Sequence, residues 1–157
     1  ADIITPNLTE LCLLTGTDYE MIKVMTEEKH LVTAAEQMAG NLMAEGTKEV
    51  VVTGIRFSDK ESGQEMMGNL AVTKEGVSFA AFPFIGESFS GTGDLFASVV
   101  AGGRARGDSL EEAMKLAGEM IERAIRDSVK EHVPRNDGVD YEQYLWMLGE
   151  KNRLKKE

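Results

Sequence analysis

The segment Ser88-Phe89-Ser90-Gly91-Thr92-Gly93-Asp94-Leu95-Phe96 holds the densest chemistry in the chain. Two glycines around one hydroxyl residue let the backbone turn sharply and aim successive N–H groups one way. A helix opening at Asp94 adds the positive end of its dipole, roughly half a charge. Such a nest suits the negative charge that builds on a phosphoryl group in transit. A carboxylate there can take the proton of an attacking hydroxyl, as the catalytic-loop aspartate does in protein kinases. The same residues also suit a simple turn with Asp94 as a helix cap, and a lone Gly-Thr-Gly-Asp string does not separate the two readings. The phosphate loop G-x-x-x-x-G-K-[ST] does not occur in the chain, which argues against a P-loop kinase.

Two further groups stand where strands should end. Thr5-Pro6-Asn7-Leu8-Thr9-Glu10 follows a short apolar run. In open parallel sheets, ligands bind beyond the carboxyl ends of the strands. Asn7 and Glu10, three apart at the start of a helix, can face one site there. Their amide and carboxylate oxygens suit Mg²⁺ or its waters. The same spacing also suits a helix cap, with Asn7 bonding free N–H groups and Glu10 favouring the dipole. Val50-Val51-Val52-Thr53-Gly54 sets a hydroxyl and a glycine at the end of a second strand, within reach of a phosphate; many strands end in Thr-Gly for the turn alone.

The elements that would position these groups follow from periodicity. Ala1–Thr5 reads as a buried strand stopped by Pro6. Leu8–Leu14 reads as a short helix closed by Gly16, and Thr17 with Glu20 has the spacing of a capping box for another. Leu31, Ala34, Ala35, Met38 and Leu42 repeat at helical spacing, with Gly46 as a stop. Val50–Val52 is β-branched and continuous, as in a strand buried on both faces. A helix between two such strands marks a parallel βαβ unit. Glu65–Val72 and Val77–Phe82 read as a hairpin turned at Gly76. Pro83–Thr92 is a loop, and helix follows from Asp94 through Ala105, where Gly102-Gly103 demands close packing or a break. Ser109 with Glu112 caps a long amphipathic helix with apolar face Ala113, Leu116, Ala117, Met120, Ile121, Ala124 and Ile125, ended by Pro134. Asp140 with Gln143 caps a last helix carrying Tyr144, Leu145 and Leu148, with Trp146 packed on the domain. There is no internal repeat or linker, so the chain reads as one α/β unit.

Composition bounds the function. With 157 residues and a net charge of −10, the chain can bury a core but repels nucleic acid and anionic membrane. The one basic cluster, Lys151, Arg153, Lys155 and Lys156, reads as a solvated helix end or tail. An acidic protein that handles a polyphosphate must gather positive charge from helix N-termini, backbone N–H groups and Mg²⁺. No apolar run is long enough for a membrane helix and no leader opens the chain. The single cysteine, Cys12, reads as a small core residue of a protein in a reducing cytoplasm. His30 and His132 lack partners in sequence and read as surface or capping residues, and the nine methionines read as core filler.

In chain order, strand–T-P-N-x-x-E, then strand–T-G, then hairpin, loop and G-T-G-D–helix resembles the C-terminal half of the ribokinase superfamily. Within it, Ala-Asp-Ile-Ile-Thr-Pro-Asn and Gly-Thr-Gly-Asp-Leu-Phe-Ala look most similar to pyridoxal (vitamin B6) kinases, and the resemblance runs from Ala1 to about Leu148. It implies a three-layer α/β fold with a mostly parallel sheet, a homodimer, and dependence on ATP and Mg²⁺. Asp94 would be the base that activates the 5′-hydroxymethyl group of pyridoxal, and Gly91, Thr92 and Gly93 the anion hole for the transferring phosphate. Thr5, Asn7 and Glu10 would hold Mg²⁺ and the ATP phosphates, with Thr53 and Gly54 contacting phosphate. The hairpin, the Phe82–Phe89 loop and the Ser109 helix would border the adenine. The Thr5, Thr53 and Asp94 regions are expected to converge on one edge. Members of the superfamily carry an N-terminal half before this point, with most substrate-ring contacts. Its absence leads us to expect a fragment or a shortened gene. A hydroxymethylpyrimidine kinase (often Cys at the Asp94 position), a sugar kinase (more often Ala at the Thr92 position) and a nucleotide-binding fragment inactive alone are the alternatives.

Overall fold

The computed structural model describes residues 1–86 and 88–149. The basic cluster Lys151, Arg153, Lys155 and Lys156 lies outside the described residues. Where the sequence reads as one α/β unit, the chain divides into two compact units, Ala1–Phe84 and Ile85–Glu157. The division falls in the stretch after Pro83, where strand pairing has ended and the next helix has not begun.

The first unit runs β1 (Ile3–Ile4), α1 (Leu8–Thr15), α2 (Tyr19–Lys23), α3 (Glu28–Ala44), β2 (Glu49–Ser58), β3 (Glu65–Thr73) and β4 (Gly76–Pro83). Its sheet has the order β1-β2-β3-β4. β1 pairs parallel with β2, as a βα-type crossover requires, while β2–β3 and β3–β4 are antiparallel. The sheet is therefore mixed rather than mostly parallel, because the hairpin supplies half of its strands. β1 is only two residues long, shorter than the Ala1–Thr5 strand expected, although Asp2 O and Pro6 O on either side of it still accept from Glu49 N and Thr53 N.

Val50 and Val52 point to one face of the sheet, and Ile55 and Phe57 continue on that same face, although strict alternation would send them to the other. An irregularity between Val52 and Ile55 restores the phase. That face joins Leu70 and Val72 of β3 and buries Leu11, Cys12, Ile22, Leu31, Ala35, Met38 and Leu42 of the three helices. Gly68 lies under the Phe79 ring: a Cβ there would sit 2.2 Å from a ring carbon. α2 is capped by Asp18, whose Oδ1 accepts from Glu20 N at 3.0 Å, and not by Thr17. Thr17 instead shares a 2.9 Å hydroxyl bond with Thr15.

The second unit holds α4 (Thr92–Ala105), α5 (Leu110–Lys130) and two 3₁₀ segments, Arg135–Asp137 and Glu142–Leu148. Gly102-Gly103 does not break α4. A Cβ on Gly103 would lie 2.8 Å from the Cβ of Ala113, so the glycine lets α4 and α5 approach closely. Ser109 and Glu112 form the expected capping box. Ala113, Ala117, Met120 and Ala124 are buried as expected, together with Met114 and Ser128. α5 stops at Lys130, and His132, at φ 57, takes the left-handed position where glycine is usual. The last helix is 3₁₀, without the Asp140 side-chain cap; Trp146 is 53% exposed rather than packed on the domain. No helix among the described residues is long and apolar enough to cross a membrane.

Candidate phosphate-handling residues

Thr5, Pro6 and Asn7 leave the carboxyl end of β1 beside Thr53. The Thr53 amide donates to the Pro6 carbonyl at 2.9 Å, and Asn7 and Thr53 form a parallel bridge. The sequence-derived groups of the first unit thus meet where the carboxyl end of β1 lies beside the middle of β2. Asn7 caps α1: its Oδ1 accepts from Glu10 N at 2.9 Å, while Glu10 Oε2 accepts from Asn7 N at 2.8 Å. The cap accounts for one carboxylate oxygen of Glu10 and leaves the other, together with the second lone pair of Asn7 Oδ1 and the Thr5 hydroxyl. These are hard oxygen donors of the kind Mg²⁺ accepts alongside water and phosphate oxygens. Thr5 and Glu10 also line an open cleft of about 420 Å³ with Ile4, Pro6, Leu13 and Leu14. No cluster of three or more His, Cys, Asp or Glu side chains suited to a metal is found among the described residues.

Thr53 and Gly54 do not end β2, which continues to Ser58. They form a β-bulge, two residues set against the single Asn69 between the pairs Val52↔Leu70 and Ile55↔Gly68. Gly54 has φ 69 and donates its N–H to Asn69 Oδ1 at 3.3 Å. A Cβ on Gly54 would meet nothing within 4 Å, so open space lies over its Cα. That space fits a phosphate, but the Gly54 amide is already committed and the Thr53 hydroxyl donates to the Pro6 carbonyl at 3.5 Å. Asn69 is the residue that the sequence reading missed. The available signals were a glycine inside a strand and the shift from apolar positions 50 and 52 to 55 and 57.

In the second unit, α4 begins at Thr92, two residues before the expected start, so Asp94 is the third residue of its first turn. Gly91 is the N-cap at φ 80, and no side chain caps the helix. α3 likewise lacks a side-chain cap, whereas α1, α2 and α5 use Asn7, Asp18 and Ser109. The first bond of α4 is Leu95 N to Gly91 O at 3.0 Å, so the amides of Thr92, Gly93 and Asp94 precede the ladder. The Thr92 hydroxyl turns back to the Phe89 carbonyl at 3.2 Å. Cβ atoms on Gly91 or Gly93 would meet nothing within 4 Å, and Asp94 is exposed. Uncapped amides, a helix dipole and open space together fit an anion such as phosphate. The turn itself is anchored: Phe89 is buried with Ala124 and Val139, and Ser90 N donates to Arg135 O at 3.0 Å.

Residues 1–136 match the model of the phosphomethylpyrimidine kinase family. The chain belongs to that family. Its ribokinase-like relatives include the pyridoxal kinase of Actinobacillus succinogenes, 34% identical over 124 residues, a match covering 77% of this chain and 39% of that protein. A Bacteroides thetaiotaomicron protein provisionally named a phosphomethylpyrimidine kinase superposes with TM-score 0.76 at 27% identity, covering 97% of this chain and 48% of that one. A second crystal form of that protein contains pyridoxal. Pyridoxal kinase from Lactobacillus plantarum shares the fold, with TM-score 0.72 at 24% identity over 97% of this chain and 50% of its own. The chain thus has the ribokinase-like α/β fold of this family and spans half or less of the length of these relatives.

Proposed function

We propose that the chain is the phosphate-handling portion of an ATP- and Mg²⁺-dependent pyridoxal kinase acting in vitamin B6 salvage in the cytoplasm. The acceptor is the 5′-hydroxymethyl group of pyridoxal, pyridoxine or pyridoxamine. The observation that carries this reading is the start of α4, with open, uncapped amides after Gly91 and an exposed Asp94 within the same turn. Helices whose first turn has only a structural task are commonly closed by a side chain, as α5 is here. The family match and the pyridoxal-kinase relatives support the same reading.

Mg·ATP, when bound, supplies the γ-phosphoryl group. Asp94 accepts the proton of the acceptor hydroxyl as its oxygen bonds to the γ-phosphorus and the bond to the β–γ bridging oxygen breaks, releasing ADP. The amides of the Gly91-Thr92-Gly93 turn stabilise the charge that the transferring group develops. Thr5, Asn7 and Glu10 would hold the cation, and through it the ATP phosphates, by the oxygens that the α1 cap leaves available, and Thr53 with Gly54 would accommodate a phosphate.

The test is Asp94→Asn, assayed for pyridoxal 5′-phosphate formation in whatever assembly turns over, with Mg·ATP affinity measured in parallel. Removing a positioned general base lowers turnover by roughly 10²–10⁴-fold, and ATP affinity should stay near wild type. A variant that keeps half of wild-type turnover would remove Asp94 from the mechanism. The family description favours a second reading, a hydroxymethylpyrimidine kinase. Competing the two acceptors in one assay separates them, and faster phosphorylation of the pyrimidine would select this alternative.

A further inference from the structure

Asn69 faces the Thr53–Gly54 bulge from β3, and we infer that it is the positioning residue that fixes how this bulge is presented to a nucleotide phosphate. The inference rests on the phosphate role proposed above for Thr53 and Gly54. Between Val52↔Leu70 and Ile55↔Gly68, two residues oppose one, so the regular ladder supplies no acceptor for one amide. The Asn69 side chain supplies it, through Oδ1 to Gly54 N at 3.3 Å. Asn69 is only 8% exposed, and it is the one polar side chain in the buried run Gly68–Val72. A buried amide in such a run needs a partner, and here the partner is the bulge.

Packing alone accounts for a bulge at this point, since it keeps Ile55 and Phe57 on the helix-covered face. It does not account for a buried amide opposite the bulge. With the Gly54 N–H held by Asn69 and the Thr53 N–H held by Pro6 O, both peptides are clamped. The Gly54 Cα is left against open space, and Thr53 is left beside Asn7. Asn69 therefore acts through Gly54 and Thr53 and does not itself contact the nucleotide.

The experiment compares the full chain with its Asn69→Leu variant by Mg·ATP titration, thermal melting and hydrogen exchange at the Gly54 amide. Expected are faster exchange at Gly54 and Mg·ATP binding weaker on the order of ten-fold in the folded protein, the scale of one lost positioning hydrogen bond. Ser128→Ala, which removes a buried hydroxyl in the second unit, is the stability control and should leave Mg·ATP affinity unchanged. Should Asn69→Leu fail to fold, Asn69→Ser, which shortens the acceptor, is read in the same way. Wild-type affinity in a folded Asn69 variant whose Gly54 amide exchanges faster would overturn the positioning role and leave the kinase reading intact. A wild-type chain that does not bind Mg·ATP would overturn both.

Discussion

In the proposed mechanism Gly91 and Thr92 have different tasks in the α4 turn, which substitutions can separate. Gly91 sits at φ 80, a conformation that costs an L-residue about 1–2 kcal/mol. Gly91→Ala should therefore shift the amides that follow it and lower phosphoryl transfer more than ten-fold, about the cost of misplacing one charge-stabilising donor. Of Thr92 the proposed mechanism needs only the backbone amide, which survives substitution, while its hydroxyl bonds the Phe89 carbonyl. Thr92→Ala should keep turnover within about ten-fold of wild type, the scale of one ordinary hydrogen bond. Steady-state assay of both variants for pyridoxal 5′-phosphate formation decides the point; a larger loss in Thr92→Ala than in Gly91→Ala would give the hydroxyl the direct role.

At the scale of elements, the C-terminal 3₁₀ helix is held to α5 by polar contacts as well as by packing. The Tyr144 hydroxyl donates to Asp127 Oδ2, and Ser128 Oγ accepts from Asp140 N at 2.9 Å. The bond from Tyr144, then that from Lys130, holds the Asp127 carboxyl below its ordinary range, while the Asp127 bond raises the Tyr144 phenol. A depressed carboxyl stabilises the fold above its unfolded pKa of about 4, and this is lost as pH falls through the lower folded value. A raised phenol stabilises below its unfolded pKa of about 10, and this is lost as pH rises through the higher folded value. The stability deficit of Tyr144→Phe should therefore be level between those limits and shrink beyond either of them. Urea melts of the two proteins across pH check this, and a deficit independent of pH at both extremes would assign the tyrosine a packing role only.

For the molecule as a whole, the chain spans 39% of its Actinobacillus relative, and phosphoryl transfer depends on holding donor and acceptor in line. Such positioning supplies on the order of 7–11 kcal/mol of a barrier. The 157-residue chain by itself should thus bind Mg·ATP yet form pyridoxal 5′-phosphate poorly. Fusion to the portion of the Actinobacillus enzyme that it does not match should raise turnover. Equal turnover numbers for the chain and the fusion would mean that the acceptor site lies within these residues. β1 and β4 are the edge strands of the first unit's sheet, and open edges favour pairing with a second chain, so a dimer is the expected state. Sedimentation at several concentrations measures it.

Local chemistry was legible in the sequence. Asn7 with Glu10 and Ser109 with Glu112 close capping boxes, because such bonds span one helical turn, whereas Thr17 with Glu20 and Asp140 with Gln143, at the same spacing, do not. The hairpin turned at Gly76 and the stop at Gly16 are local in the same sense. Gly91-Thr92-Gly93-Asp94 was equally visible as an opening for a helix, though the helix itself starts at Thr92. What the sequence did not decide depended on partners distant along the chain. The shortness of β1, the meeting of Asn7 with Thr53, and the mixed sheet are set by which strand lies alongside which. Thr53-Gly54 reads as a strand end because many strands end in Thr-Gly for the turn alone. It becomes a bulge because Asn69, fifteen residues on, accepts the Gly54 amide, and because Ile55 and Phe57 must return to the face that α1–α3 cover.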